Sequence, residues 1–298
     1  MWSGDELRGR LVAAGLERVA DELVTLAASS VVLRRGEAIV EPPAFRVSAV
    51  ELPGVGGAVR AIAGSGFHGL AVLEGRSVVA WGANDGGQLG DGTKSGRRRP
   101  VAVVGLSDAQ AVAAATGHSV ALTGEGAVFA WGDNGAGQLG DGTRVSRLTP
   151  VAVDGLHGGV RGVFAGWQTS FAILADGSVV GWGLNAVDLR GIDGSPCAPQ
   201  PVPGLADAVA IAVGDTHRLA LTGDGDVLEW GWALGSRGPD RAWLSPQRVD
   251  LPAQARAIAA GRNHALVLTV DGRVLAWGDN ALGGWASTPA RIPPARQR

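Results

Sequence analysis

The stretch WGDNGAGQLGDGT, residues 131–143, decides the fold, because the chain contains it almost twice: WGANDGGQLGDGT stands at 81–93, fifty residues earlier. Alone, the string has the glycines of a phosphate-cradling loop and some of the acids of a calcium loop. Recurrence changes its meaning. A pattern that returns at a fixed period marks stacked units, each too small to bury its own apolar face. Trp-Gly recurs at Trp81, Trp131, Trp182, Trp230 and Trp277, with spacings of 50, 51, 48 and 47 residues. Thirteen residues before each tryptophan stands a second column: His68, His118, Thr169, His217 and His264.

Between the columns run two apolar stretches divided by a glycine turn, as in HSVALTGEGAVFAW (118–131) and HALVLTVDGRVLAW (264–277). Short Val/Leu/Ala runs around Gly-Glu-Gly or Asp-Gly predict a β-hairpin. Before each histidine column lies an Ala/Val/Gly strand: AVRAIAG (58–64), AQAVAAATG (109–117), GVRGVFAG (159–166), AVAIAVG (208–214) and ARAIAAG (255–261). Further upstream is a proline-led strand, as in PVAVVGL (100–106), PVAVDGL (150–156), PVPGL (201–205) and PQRVDL (246–251). Each unit thus supplies four short strands, the content of one β-propeller blade.

The N-terminus holds a worn copy. SSVVLRRGEAIVEPP (29–43) aligns without gaps to residues 118–132, with Ser29 in the histidine column and Pro42 in the tryptophan column. ELVTLAAS (22–29) supplies the preceding strand, and TPARIPP (288–294) is a proline-led strand with no hairpin after it. The economical reading is an all-β, six-bladed propeller of four-stranded blades over residues 1–298, a single domain. Its units end near 42, 81, 131, 182, 230 and 277. The C-terminal strand 288–294 joins the N-terminal strands at about 22–41, which closes the ring and removes exposed edges. Leu7, Leu11, Ala14 and Val19 have helical spacing, so a short helix is expected before that blade.

Bulk composition fits a globular chain. Hydrophobic residues make up 46%, charged residues 18%, and the net charge is −2, so there is no general attraction to nucleic acid or acidic membranes. The 48 glycines and 15 prolines supply many turns. Cys197 is the one cysteine, so no intrachain disulfide or paired-thiol site forms. No run reaches 18 apolar residues, and the N-terminal segment carries charges where a signal peptide needs an apolar core. No membrane span and a cytoplasmic location are the expectations. One lysine against 25 arginines, with no tyrosine, suits a GC-rich bacterial genome.

The pattern Trp-Gly-x-Asn-x-x-Gly-Gln-Leu-Gly-x-Gly, then Pro-x-x-Val, then Gly-x-x-His-x-x-Ala-Leu resembles the regulator of chromosome condensation repeat family. It is sharpest at 81–153, weaker at 184–246 and faint at 17–43. The resemblance implies a β-propeller, most often of seven blades, so the count of six is a departure. The family's namesake is a guanine nucleotide exchange factor for a small nuclear GTPase and binds chromatin. A bacterial relative, a secreted β-lactamase inhibitor, has units similar to AIAGSGFHGLAV (61–72) and grips its target with aromatic residues on the Gly-x-x-His turns. That precedent directs attention to one face.

Several motifs invite chemistry that the repeat removes. GSGFHG (64–69) matches a dinucleotide fingerprint, but that fingerprint needs a helix after it and a strand follows here. GHSVA (117–121) falls short of a nucleophile elbow, and the equivalents of Ser119 are Gly69, Arg218 and Ala265, which makes the serine an ordinary strand residue. The histidine column places one imidazole per unit around a ring, whereas a metal gathers its ligands within about 2.1 Å of one point. A structural bond from imidazole to backbone is expected, with no metal and no cofactor. The Trp-Gly tryptophans are expected to fill the space between blades. Lys94, Arg97, Arg98, Arg99, Arg144 and Arg147 form a solvated rim or meet an acidic partner surface.

A residue present in every unit serves the scaffold, so function belongs to positions that break the pattern. If the Ala/Gly-rich strands are innermost, their ends ring a channel mouth with Phe67, Trp167, Gln168, Asp215, Arg262 and Asn263, a binding hot-spot composition. The loop after Trp-Gly also decays around the ring. The later copies carry Trp232, Trp243 and Trp285, which are either core plugs or an exposed patch. The leading expectation is a non-enzymatic propeller that binds a protein partner on the turn face. A small-molecule ligand is the alternative, as in a cyclase-like or isomerase-like enzyme in which Asp215, His217, Arg262 and His264 polarise or move protons. A nucleotide exchange factor is the third reading.

Overall fold

The computed structural model describes residues 52, 55–184, 186, 196–232 and 242–278, with the side chains of 232 and 242–244 outside that description. Among them there are 19 strands and no helix. Unit one is β1 (Val59–Gly64), β2 (His68–Leu73), β3 (Val78–Gly82) and β4 (Arg97–Ala102). Unit two is β5 (Ala109–Ala114), β6 (His118–Thr123), β7 (Val128–Gly132) and β8 (Arg147–Ala152). Unit three is β9 (Val160–Gly166), β10 (Thr169–Leu174), β11 (Val179–Gly183) and β12 (Gln200–Pro201). Unit four is β13 (Ala208–Val213), β14 (His217–Thr222), β15 (Val227–Trp232) and β16 (Ala242–Arg248). Unit five is β17 (Ala255–Ala260), β18 (His264–Thr269) and β19 (Val274–Gly278).

Each unit is an antiparallel meander in sequence order: four strands in units one to four and three in unit five. The register is the same throughout, with the histidine-column residue facing the glycine of Trp-Gly, as in His68 with Gly82 and His118 with Gly132. The Ala/Gly-rich strands β1, β5, β9, β13 and β17 pack each on the next and are innermost, where small side chains suit convergence. PVPGL contributes only the two residues of β12, a shorter strand than its repeats predict. The helix expected over residues 4–20, the strands at 22–41 and the strand at 288–294 lie outside the described residues.

The core lies between units. One cluster joins Leu70, Val72 and Leu89 of unit one to Val112 and Trp131 of unit two. Equivalent clusters join unit two to three around Trp182, three to four around Trp230, and four to five around Val249 and Ile258. The sheets of units two, three and four therefore bury both faces against neighbours, which is why their middle strands read as continuous apolar runs rather than alternating ones.

The opening motif holds these clusters together. Asn84 is buried and acts as a staple: its Nδ2 donates to Asp91 Oδ1, Thr93 O and Ser95 O, and its Oδ1 accepts from the Leu89 amide at 2.9 Å. Asn134 repeats these contacts fifty residues on. Leu89 and Leu139 are thereby pressed into the inter-unit cores. The carbonyls of Gln88 and Gln138 accept from the indole Nε1 of Trp131 and Trp182 at 2.9 Å. The glycine of Trp-Gly has a steric cause. Gly132 sits at φ +105°, and a Cβ there would lie 2.5 Å from the Gly117 carbonyl oxygen.

Candidate binding face

Antiparallel order places two loop sets at one end of every unit: the Gly-x-x-His turns (65–67, 115–117, 167–168, 214–216, 261–263) and the long loops after Trp-Gly. The hairpin turns at 74–77, 124–127, 175–178, 223–226 and 270–273 occupy the opposite end. In units one to three the turn is tied to the loop beside it. Ala83, Asp133 and Leu184 donate backbone N–H to the carbonyls of Phe67, Gly117 and Gln168.

Behind the turns the histidine column does structural work, with a partner other than the one expected. His68 Nε2 lies 2.8 Å from Ser119 Oγ, and His118 Nε2 lies 2.8 Å from Ser170 Oγ, so each imidazole bonds a hydroxyl of the next unit and not the backbone. Ser119 and Ser170 spend their one proton on the Gln88 and Gln138 carbonyls, which makes each histidine Nε2 the donor. Ser119 is thus an inter-unit connector. Burial pushes the pKa of His68 down to about 4 and that of His118 to about 3, so both are neutral.

At units three and four the same column is rebuilt by exchange. Thr169 stands in the histidine position and Arg218 in the serine position of the next unit. Arg218 is buried and reaches back, donating from Nη2 to Leu184 O at 3.1 Å. Its Nε has no partner, and burial pushes its pKa down to about 10. A small residue beside a large one conserves volume where two medium ones stood. Between units four and five the serine position is Ala265. Both ring nitrogens of His217 lack a partner, and burial, then the Arg218 charge, push its pKa to about 3.

Glu229 completes this departure. Its column otherwise reads Ala80, Ala130, Gly181 and Ala276, all small because a neighbouring unit packs there. Gly181 leaves space for Phe171: a Cβ would lie 2.6 Å from that ring. Glu229 is buried, accepts Trp277 Nε1–H on Oε2 at 3.1 Å and leaves Oε1 unpartnered. Burial raises its pKa to about 7, against the indole hydrogen bond, which lowers it. Neither Glu229 nor the role of Arg218 was read from the sequence; a charged residue inside a column of small ones was the available signal.

The turn residues divide into two groups. Phe67 is 60% exposed and Trp167 is 38% exposed, so both aromatics project. Trp167 has φ +44°, and a bulky residue in that region is a backbone outlier of the kind that collects at functional sites. Gln168 is half-buried beside it. On units four and five the turns close on each other. Arg262 Nε donates to Asp215 Oδ2 at 2.8 Å, Asp215 N donates to Arg262 O, and Thr216 Oγ1 donates to Asn263 Oδ1 at 3.3 Å. The four residues expected to move protons are divided: Asp215 and Arg262 form a surface pair, His217 is sealed behind them and His264 is half-buried. For Trp232 and Trp243 the structure gives register only, Trp232 opposite Ala242 and Gly231 opposite Trp243. Trp285 lies outside the described residues. No group of three or more metal-ligating side chains occurs among the described residues. A cleft of about 250 Å³ lies at the opposite end, lined by Asp226, Arg248, Asp250, Leu251 and Gln254.

Meandering four-stranded sheets, cores between consecutive sheets and innermost small-residue strands define a repeat-built β-propeller. The model described as RCC1-like domain matches residues 34–291, and the chain belongs to this regulator of chromosome condensation family. Over 83 residues it is 34% identical to the mouse secretion-regulating guanine nucleotide exchange factor, covering 26% of this chain and 18% of that protein. The structure of human WBSCR16 is similar, with a TM-score of 0.63 and 25% identity over 72% of this chain and 60% of that one. Prp20p of Saccharomyces cerevisiae, described with its binding properties to Gsp1p and histones, gives a TM-score of 0.56 at 23% identity over 73% and 71% of the two chains. The chain thus spans about a fifth of the mouse relative and three fifths of the human one.

Proposed function

We propose that this chain is a single-domain, six-unit propeller that binds another protein through its Gly-x-x-His turn face. One observation carries the reading: Trp167 is held in a left-handed backbone conformation at a turn tip and displayed to solvent. The backbone strain and the exposed apolar area at that ring point to a partner. The projecting Phe67 supports it, as do the named protein partners of Prp20p. Ring closure is supported by the ends of the described array. Trp131, Trp182 and Trp230 are buried, whereas Trp81 in unit one and Trp277 in unit five are only half-buried. The worn unit at 22–41 with the strand at 288–294 would fill that gap.

Affinity capture from native lysate, with mass spectrometry of both proteins and small molecules, tests the reading. Wild type retains a stoichiometric protein, and the Phe67→Ala/Trp167→Ala variant loses it. A reproducible metabolite with no protein overturns the proposal in favour of the enzyme reading. The name of the mouse relative favours nucleotide exchange as a second reading. It predicts that the captured protein is a small GTPase whose GDP release this chain accelerates.

A further inference from the structure

The turn face is uneven in charge. Among the described residues of units four and five the turns are neutralised, since Asp215 and Arg262 hold each other and Thr216 meets Asn263. Over units one and two the described residues carry more cations than acids, and apolar side chains project from units one to three. Arg97 pairs with Gly82 at the end of β3, so the loop carrying Lys94 returns beside the Phe67 turn. Arg98 and Arg99 open β4 at that same end, and Lys94, Arg98 and Arg99 are all exposed. The loop acids neutralise them only in part: Asp85 is exposed and Asp133 half-buried, while the other two acids are already paired. Asp91 is taken by Arg97 and Asp141 by Arg147, both at 2.8 Å. Val145, on the loop of unit two, is 59% exposed, and Phe67 and Trp167 project from the turns of units one and three. At the opposite end acids outnumber bases among the described exposed residues, with Glu74, Glu125, Asp154, Asp207, Asp224 and Asp250 among the acids and Arg60, Arg161 and Arg256 among the bases.

From this division we infer that the turn face of units one to three docks an acidic protein segment with apolar side chains. Its carboxylates meet Lys94, Arg98 and Arg99, and its apolar groups cover Phe67, Val145 and Trp167. The inference rests on the protein-binding reading and adds the partner's charge. Two faces of opposite sign orient an incoming acidic partner and raise its association rate at low salt. A nucleic acid is a poorer match, because the chain is net negative and the same face carries the exposed Asp85 beside its cations.

Fluorescence anisotropy of the full chain with a labelled glutamate–tyrosine copolymer tests this, with a lysine–tyrosine copolymer and a short DNA duplex as comparators. The acidic copolymer binds best, and salt weakens it. Arg98→Glu/Arg99→Glu and Phe67→Ala/Trp167→Ala each weaken it roughly tenfold or more, whereas Glu74→Lys/Glu125→Lys does not weaken it. The single Lys94→Glu variant, in an exposed loop, gives the same direction if the arginine pair lowers the thermal midpoint. Unchanged binding after both charge reversals overturns the inference, and so does preference for the basic copolymer or the duplex. A captured protein that needs Trp167 and ignores Arg98 and Arg99 leaves the protein-binding reading standing and removes only the acidic partner.

Discussion

Where units one and two meet, the indole N–H of Trp131 donates to a loop carbonyl, that of Gln88. Where units four and five meet, the indole N–H of Trp277 donates to the carboxyl of Glu229. The earlier junction uses a thirteen-residue motif to bring a carbonyl and a leucine into place. The later one follows a stretch in which that motif is gone, and an acid grown from β15 supplies the acceptor. The histidine bond is lost in parallel: His68 has Ser119, while His217 faces Ala265 and has no partner. One junction is satisfied by neutral groups. The other buries an acid and an imidazole with spare polar atoms, each costing about 1–3 kcal/mol if left dry.

The largest expected effect separates the two tryptophans. Trp131→Ala removes a fully buried ring and leaves the Gln88 carbonyl short of a donor, so urea denaturation should show a loss of about 3–5 kcal/mol. Trp277 is only half-buried, and Trp277→Ala should cost about half as much. Equal losses would mean that the two junctions are energetically alike.

Proton linkage comes next. The folded pKa of Glu229 is raised to about 7, so the carboxyl's contribution is present below its unfolded value and is lost as pH rises through about 7. Glu229→Gln keeps an acceptor for Trp277 and cannot ionise. Its stability relative to wild type should rise between pH 5 and pH 8 by up to about 3 kcal/mol. A difference flat with pH would show that the carboxyl is hydrated. The histidines act in the opposite direction. Depressed folded values at His68 and His118 stabilise above the unfolded value near 6.5, and that contribution is lost as pH falls toward about 4 and 3. His118→Gln should flatten the acid limb of the wild-type stability curve while costing about 1–2 kcal/mol at pH 7. An unchanged acid limb would place the uptake of protons elsewhere.

This contrast also marks what could be read in advance. The period of the columns, the hairpins and the innermost strands follow from spacing and from where glycine and alanine fall, because those features are local. Loss of the Gln-Leu-Gly motif pointed to the later units as different. What replaced it was not legible: Glu229 and Arg218 look like ordinary strand residues until neighbouring sheets enclose them. The partner of the histidine column was hidden for the same reason, since His68 and Ser119 are 51 residues apart and meet only across a junction. At the turn face the aromatics were legible, but the left-handed strain at Trp167 and the mutual closure of Asp215 and Arg262 needed coordinates.

The smallest expected effect compares two ion pairs on opposite ends of the molecule. Asp141 is almost enclosed: it receives Arg147 at 2.8 Å on one oxygen, and Asn134 and Thr143 on the other. Asp226 receives Arg248 at 2.6 Å, but that arginine is 72% exposed against 37% for Arg147. Water competes for the second pair far more than for the first. Arg147→Ala should therefore lower stability by about 0.5–1 kcal/mol, seen as a drop in thermal midpoint, while Arg248→Ala leaves the midpoint unchanged. Added salt should reduce the Arg147 effect only slightly, because an enclosed carboxylate is poorly screened. If both variants behave alike and salt abolishes both effects, the repeated loop is held by its asparagine and its leucine, and Arg147 and its repeat Arg97 are available to a partner.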